Sequence, residues 1–292
     1  MIAAPAAARV AVVIVNYQSY EDLRDCLASL GGPDPALAIC VVDHATRMEA
    51  ADAIAREFPH VDLLRVPANE GFAAGVNRGA RHRDTPFILL LNPDCVADAA
   101  VCRALADWLT AHPRAGAAGP RILNADGSVQ ASARRFPGLT TGIAGRSSWL
   151  TRVLPRNPLS RHNLAPSLDT SLEPRAVDWI SGAAMMVRRD AFDAVGGMDE
   201  GFFLYWEDAD FCRRLSQAGW QTMYLPMLSV RHVGGRSSRH AADASLVAFH
   251  RSALRLFRKH AGPVQAMLTP FVFIALRARL AFMRRVVRRR AV

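Results

Sequence analysis

From Gly197 to Asp210 the chain places Glu207, Asp208 and Asp210 directly after Phe202, Phe203, Tyr205 and Trp206. A carboxylate at a helix start, beside aromatic walls that suit a sugar face, can take a proton from a hydroxyl. The same three acids would equally complement the dipole of a helix first turn. Leu89 to Asp94 reads Leu-Leu-Leu-Asn-Pro-Asp, an apolar run ending in a turn that Pro93 stiffens. Asp94, with Asn92 beside it, can there hold a hard divalent cation that bridges a diphosphate, although Asn-Pro-Asp by itself is also a common turn. Asn69 to Asn77 contains Gly71 and Gly75 and suits a tight turn opening a helix whose first amides face an anion. It lacks the GxGxxG spacing of a dinucleotide fingerprint. His232, just ahead of Gly234 and Gly235, can supply a neutral imidazole as a second ligand to the same cation. Arg236 can neutralise phosphate through a bidentate contact.

Scattered residues of this kind do chemistry only if the fold gathers them. Val10 to Val15, Leu37 to Val42, Val61 to Val66 and Phe87 to Leu91 are short apolar runs of the kind buried in parallel sheets. Between and after them lie helical stretches, Leu23 to Leu30, Met48 to Phe58, Gly71 to Arg83 and Ala99 to His112. The alternation predicts βαβ units and a parallel, doubly wound α/β sheet. Such sheets bind nucleotides at the carboxyl ends of their strands, where this chain carries Asn16 and Tyr17, then Asp43, then Asn69 and Gly71, then Asn92 and Asp94. The second half is less regular. Pro137 to Pro174 reads as a long loop or flap, and order resumes at Ala183 to Val187, with a short helix near Ala191, a helix from Glu207 or Asp208, and a strand at Gln221 to Leu225.

The 292 residues carry a formal net charge of +10, and its placement excludes a domain that is basic throughout. Eleven Lys and Arg lie between Arg251 and the end with no Asp or Glu, leaving 25 basic against 26 acidic groups before them. A near-neutral body with a basic tail argues against nucleic acid as the ligand. Five cysteines, none in a CxxC pair, suggest neither a zinc knuckle nor a disulfide framework, and so a reducing compartment. The Ala-rich start from Met1 to Arg9 does not suggest a signal peptide. Val264 to Leu276 is interrupted by Gln265 and Pro270 and falls short of the ~20 apolar residues of a spanning helix. With Phe271, Phe273, Phe282 and the arginines that follow, it suits an interfacial anchor on anionic lipid; the alternative is a helix packed on the body with a solvated basic end.

Val-Val-Ile-Val-Asn-Tyr at 12 to 17, Val-Val-Asp at 41 to 43, the 69 to 77 segment, Leu-Asn-Pro-Asp at 91 to 94, Ser-Gly-Ala at 181 to 183 and the aromatic-acidic run at 202 to 210 resemble, in order, the inverting glycosyltransferases of family 2, above all the bacterial rhamnosyltransferase-like branch. The resemblance runs from about Val10 to His260. It implies a GT-A fold: a Rossmann-like, mostly parallel sheet with flanking helices and a C-terminal helical tail. Residues 1–250 would form the transferase domain, its nucleotide half about 9–115 and its acceptor half about 116–250, and 251–292 a basic amphipathic membrane-associating segment. Asn16, Tyr17 and Asp43 would bind the nucleoside, and Asn69, Gly71 and Asn77 would shape its pocket. Asn92 and Asp94 stand at the metal motif, with Asp94 and His232 as ligands of Mg2+ or Mn2+. Asp208 would be the catalytic base, Tyr205, Trp206 and Glu207 the acceptor and sugar pocket, and Arg236 a partner of the diphosphate. The implied reaction moves a sugar, L-rhamnose from dTDP-rhamnose, to a lipid-linked or cell-envelope glycan at the cytoplasmic face of the membrane. Another family donor (UDP-galactofuranose or a UDP-hexose) and a non-catalytic nucleotide-binding scaffold are the alternatives. A nucleotidyltransferase would need a Gly-rich, Lys- or Arg-bearing signature after the first strand, which Asn16 to Ser19 does not offer. Two departures stand out: His44, Ala45 and Thr46 follow Asp43 where the family has Asn and a small pair, and Asn92 replaces the first aspartate of the metal motif.

Overall fold

The computed structural model describes residues 8–137, 171–233 and 242–290. Arg236 and most of the expected Pro137 to Pro174 loop lie outside those residues.

The first half follows its apolar periodicity. Strands β1 (Val10–Tyr17), β2 (Leu37–His44), β3 (Asp62–Val66) and β4 (Phe87–Leu91) pair in the parallel order β3-β2-β1-β4. Helices α1 (Tyr20–Leu30), α2 (Met48–Glu57), α3 (Phe72–His82) and α4 (Ala99–Ala111) alternate with them. Both sheet faces are covered, which is why the strands are apolar on both sides. Val10, Val12 and Ile14 pack with α1, α2 and α4, whereas Val13 packs with Ala73, Val76 and Ala80 of α3. β1 and β2 run on past their apolar cores, so Asn16 faces Asp43, and Tyr17 faces His44, inside the ladder.

The second half departs from the expected pattern. β5 (Cys95–Val96), β6 (Ala115–Leu123), β7 (Ala133–Arg134), β8 (Arg175–Val177), β9 (Trp179–Ile180), β10 (Ala184–Arg188) and β11 (Gln221–His232) extend the sheet as β4-β10-β6-β11-β5, while β7 pairs only with β9. β10 is antiparallel to both β4 and β6, and β5 and β8 are antiparallel to β11. The sheet is thus mostly parallel but mixed, not wholly parallel as expected. The chain enters β10 at the carboxyl end of β4, where Asn92 N–H donates to the Ala183 carbonyl at 2.9 Å, and from there it can only run back. β6 has no counterpart in the sequence reading, because Ala-Gly-Ala-Ala-Gly-Pro carries little β-forming character. Packing selects its small residues: a Cβ on Gly116 would lie 2.7 Å from the Trp220 side chain.

Helices α5 (Arg189–Ala194), α6 (Glu207–Gln217), α7 (Ala242–His260), α8 (Pro263–Ala266) and α9 (Thr269–Arg290) complete the described chain. The division expected between residues 250 and 251 falls inside α7, which is fastened to the body. Leu256 is buried, Ser252 donates to the Leu204 carbonyl at 2.9 Å, and Lys259 and His260 reach the fully buried Asp210. α9 folds back on α7, joined by a bidentate Arg284 to Asp243 pair and by Arg279 donating to His250 Nε2. No helix among the described residues is long and apolar enough to cross a membrane.

Candidate active site

At the ends of β1 and β2, Asn16 Nδ2 donates to Asp43 Oδ1 at 2.7 Å and the Tyr20 hydroxyl donates to Oδ2 at 2.8 Å. The Tyr20 oxygen in turn accepts the Arg47 N–H at 2.8 Å. Burial pushes the Tyr20 hydroxyl up to about 12, with the Asp43 carboxylate adding to the effect, so it stays a donor. Asn16 and Asp43 are fully buried, and the group that reaches solvent at this strand end is Tyr17, 41% exposed. Asp43 therefore orders Asn16 and Tyr20 at the carboxyl ends of β1 and β2. Tyr20 escaped the sequence reading because, four residues past Asn16, it looks like an ordinary first-turn residue. His44 is 1% exposed and its Nε2 has no hydrogen-bond partner; burial lowers its pKa, so the imidazole is neutral.

The segment from Asn69 to Asn77 turns out to be a clamp. Asn69 Oδ1 accepts the Gly71 N–H at 3.0 Å, and Gly71, at φ +92°, lies so close to Phe203 that a Cβ would sit 2.5 Å from its carbonyl oxygen. Phe72 N–H donates to that same carbonyl at 2.8 Å. Asn77, expected at the nucleoside pocket, uses its side chain elsewhere: Oδ1 accepts Met198 N–H at 2.8 Å, and Nδ2 donates to the Met198 carbonyl and to Glu200. Gly71 and Asn77 thus hold the Gly197 to Leu204 turn, with the Asn77 side-chain amide committed there.

Asp94 and His232 do meet. The antiparallel pairing of β5 with β11 sets His232 opposite Cys95, and His232 Nε2 lies 3.0 Å from Asp94 Oδ1. Gln130, which the sequence reading missed, decides what that contact means. Its Nε2 donates to Asn124 Oδ1 and to the His232 carbonyl, so its Oε1 is the atom facing His232 Nδ1 at 3.0 Å. Nδ1 must then carry a proton, leaving the Nε2 lone pair aimed at a carboxylate oxygen. Asp94 Oδ1 and His232 Nε2 are thereby two adjacent atoms that could ligate one cation. Cys95 has its sulfur in the same cluster, but burial raises its pKa well above the ordinary value and it donates to the Ala183 carbonyl. It remains a thiol, and the donor set is one carboxylate oxygen and one imidazole nitrogen. Asn92 Nδ2 sits 3.4 Å from His232 Nε2 at the edge of this pair.

The acids of α6 separate into three roles. Tyr205 and Trp206 both have positive φ, 68° and 70°, a costly pair of conformations for aromatic residues that turns the chain abruptly into the helix. Asp210 is fully buried and paired with Arg214, Lys259 and His260, so it is structural. Glu207 is 5% exposed and its Oε2 has no partner. Asp208 is half-buried: Oδ2 accepts Gly182 N–H at 3.1 Å, and Oδ1 accepts Ala209 N–H at 2.8 Å. Burial raises both carboxyls. For Glu207 the charge of Asp208 adds to the rise, whereas for Asp208 the two amides and the Arg134 guanidinium pull the other way. Glu207 is sealed with Oε2 unpartnered, whereas on Asp208 two amides and a guanidinium favour the carboxylate form. The Ala209 contact is the one the helix-dipole alternative expects, whereas the Gly182 amide comes from outside α6.

The Ser181 to Ala183 turn joins the two centres. Gly182 N–H holds Asp208, while the Ala183 carbonyl accepts from Asn92 N–H and from the Cys95 thiol beside Asp94. Around Asp208, Trp206 lies 6.2 Å from Trp179 and 5.3 Å from Phe249, and Tyr205 packs edge-on against Phe249 at 5.8 Å.

A nucleotide-type sheet whose strand ends lead through one short turn to the half-buried Asp208 carboxylate has the layout of a GT-A glycosyltransferase. Among solved structures, the mannosyltransferase PcManGT of Pyrobaculum calidifontis, in complex with GDP-Man and Mn2+, superposes with a TM-score of 0.59 at 16% identity, over 94% of this chain and 74% of that one. GalNAc-T7, solved with UDP, GalNAc and Mn2+, gives 0.59 at 15% identity, over 87% and 48%. The model of the family described as "Glycosyltransferase like family 2" matches residues 6–251, and the chain belongs to that family and is a glycosyltransferase. It is 35% identical to the N-acetylglucosaminyl-diphospho-decaprenol L-rhamnosyltransferase of Mycobacterium tuberculosis, over 86% of this chain and 85% of that protein. Its identity to the rhamnosyltransferase WbbL of Escherichia coli is 24%, over 78% and 84%.

Proposed function

We propose that the protein is an inverting rhamnosyltransferase that moves L-rhamnose from dTDP-rhamnose to a sugar carried on a lipid diphosphate. The observation that carries the chemistry is Asp208, the half-buried carboxylate of α6 that two amide N–H groups orient and burial makes more basic. Asp208 takes the proton of the acceptor hydroxyl while that oxygen forms its bond to the anomeric carbon. The bond from that carbon to the diphosphate breaks on the opposite face, and the electron pair leaves with the nucleoside diphosphate. Asp94 and His232 would hold a divalent cation, which when bound neutralises charge on the leaving diphosphate. An imidazole in the donor set favours Mn2+ over Mg2+. The Trp179, Trp206 and Tyr205 rings form the wall against which a sugar face would stack. The names of the relatives support rhamnose and a lipid-linked acceptor.

The tail supports work at the anionic inner face of the membrane. Val264, Met267, Phe271 and Ile274 are between 63% and 79% exposed, and Arg277 and Arg285 follow them. Calorimetric titration of dTDP, UDP and GDP, each with and without Mn2+, tests the donor: Mn2+-assisted binding of dTDP that Asp94→Ala removes is the expected result. Preference for UDP or GDP would replace the rhamnose donor with a hexosyl one, and cation-independent binding would remove the metal from the Asp94–His232 pair.

A further inference from the structure

Among the described residues, four non-glycine positions have positive φ. Tyr205 and Trp206 lead into Asp208, and the other two, Gln18 at 56° and Ala45 at 50°, sit in the turns that follow β1 and β2. Left-handed backbone at a residue with a Cβ is costly and persists only where its surroundings hold it, which is why such positions gather at functional sites. One side chain ties these two turns together. Tyr20, two residues past Gln18, donates its hydroxyl to Asp43 Oδ2 at 2.8 Å and accepts the N–H of Arg47, two residues past Ala45, at 2.8 Å. The Thr46 hydroxyl adds a bond to the Asp43 carbonyl at 2.8 Å.

Asn16 and Asp43, the strand-end residues expected to bind a nucleoside, are fully buried and spend their side chains on this network. What they leave exposed is Tyr17 and, next to the tethered Arg47 amide, Met48 at 56%, which borders an open cavity of about 450 Å3 with Arg47, Glu49 and Ala50. The strand order says what meets these two surfaces. In the sequence β2-β1-β4-β10, the Asp94 that follows β4 lies between the end of β2 on one side and, on the other, the Gly182 turn ahead of β10 that holds Asp208. A diphosphate at Asp94 whose sugar faces Asp208 must send its nucleoside the other way, toward the end of β2, two strand spacings or about 10 Å distant.

We propose that Tyr20 is the positioning residue of the donor's nucleoside site: its hydroxyl ties Asp43 to the Arg47 amide, so that the Ala45 to Met48 turn stands beside Tyr17 and the two take the nucleoside between them. Asn16 and Asp43 then act through Tyr20 and not by touching the nucleoside. This rests on the reading of the donor as a nucleoside diphospho-sugar with its diphosphate at Asp94, and it adds the residue that sets nucleoside affinity from behind.

The test is calorimetric titration of the full chain with dTDP and with inorganic pyrophosphate, each with Mn2+, on the parent protein, Tyr20→Phe and Tyr17→Ala, with Tm measured for all three. Tyr20→Phe keeps the ring and removes only the hydroxyl; it is expected to weaken dTDP about tenfold and pyrophosphate by less than about twofold. Tyr17→Ala removes an exposed ring, so the fold is kept, and it should show the same selective loss. A merely structural Tyr20 would lower Tm while leaving dTDP affinity intact or weakening both ligands alike, and either result overturns the proposal. Selective loss in Tyr20→Phe with none in Tyr17→Ala overturns the placement of the nucleoside beside Tyr17. A parent protein that binds UDP or GDP in place of dTDP strikes the donor reading alone, since the same variants are then read on that diphosphate, and one that binds none of the three overturns both.

Discussion

The two halves of the molecule position their chemistry in different ways. In the nucleotide half, Asn16 and Asp43 meet because β1 and β2 are neighbours in strict parallel register, so placement follows from apolar period alone. In the acid half, Asp208 is placed by a turn that Asn77 and Gly71 hold from α3, by the Gly182 amide ahead of β10, and by Phe249 on α7. The first arrangement is as rigid as the sheet. The second depends on single hydrogen bonds between distant segments, so it should be lost one contact at a time.

The sharpest break is Asp208→Asn, which keeps both amide contacts in reach and removes the base: kcat should fall about 10³-fold while dTDP affinity stays within about threefold. Loss of nucleotide binding in that variant would mean the two halves are not separable. His232→Ala should abolish the Mn2+ enhancement of dTDP binding. Gln130→Leu should weaken it about 10- to 100-fold with the ligands themselves intact, because the imidazole is no longer held with Nδ1 protonated. Asn77→Ala should cost about 2 to 3 kcal/mol, read as a lower Tm, since it leaves the buried Met198 N–H and carbonyl unpaired. Its kcat should drop with little change in dTDP binding, whereas a loss confined to dTDP binding would return Asn77 to the nucleoside pocket.

Two pH effects, the smallest expected, follow from opposite shifts. Asp208 must be ionised to act, and its pKa is raised, so the acid limb of the kcat profile should lie above the ordinary carboxylate range and activity should fall as pH drops through it. Asp199 is lowered to about 2, so its contribution to stability is complete above its unfolded pKa of ~3.9 and is lost as pH falls from there through about 2. Asp199→Asn should flatten that acid limb of stability and leave kcat nearly unchanged.

Legibility followed the same division. Each of β1 to β4 and α1 to α4 was readable because a buried strand or a two-sided helix leaves a local pattern, and the strand-end residues came with them. Asp94 and His232 were expected to share one cation and the pairing of β5 with β11 brings them together, but Gln130 carried no signal at all, being a polar residue whose partner lies on β11. β6 was invisible because the interior beside Trp220 selects small residues, which favour no strand. The antiparallel course of β10 was equally hidden, since an apolar run reads the same in either direction.

The amino-acid sequence by itself determined the class of sheet, the family, the residue types at the donor end and the concentration of positive charge after Arg251, because these depend on local period, ordered motifs and simple counting. Tertiary structure alone decided which of three adjacent acids is available. Asp210 is taken by Arg214 and two residues of α7, Glu207 is sealed in with Oε2 unpartnered, and Asp208 is left half-open on two amides. Charge, protonation and exposure are set by whatever surrounds a group in space, and here the Gly182 amide at Asp208 and Lys259 and His260 at Asp210 come from remote parts of the chain.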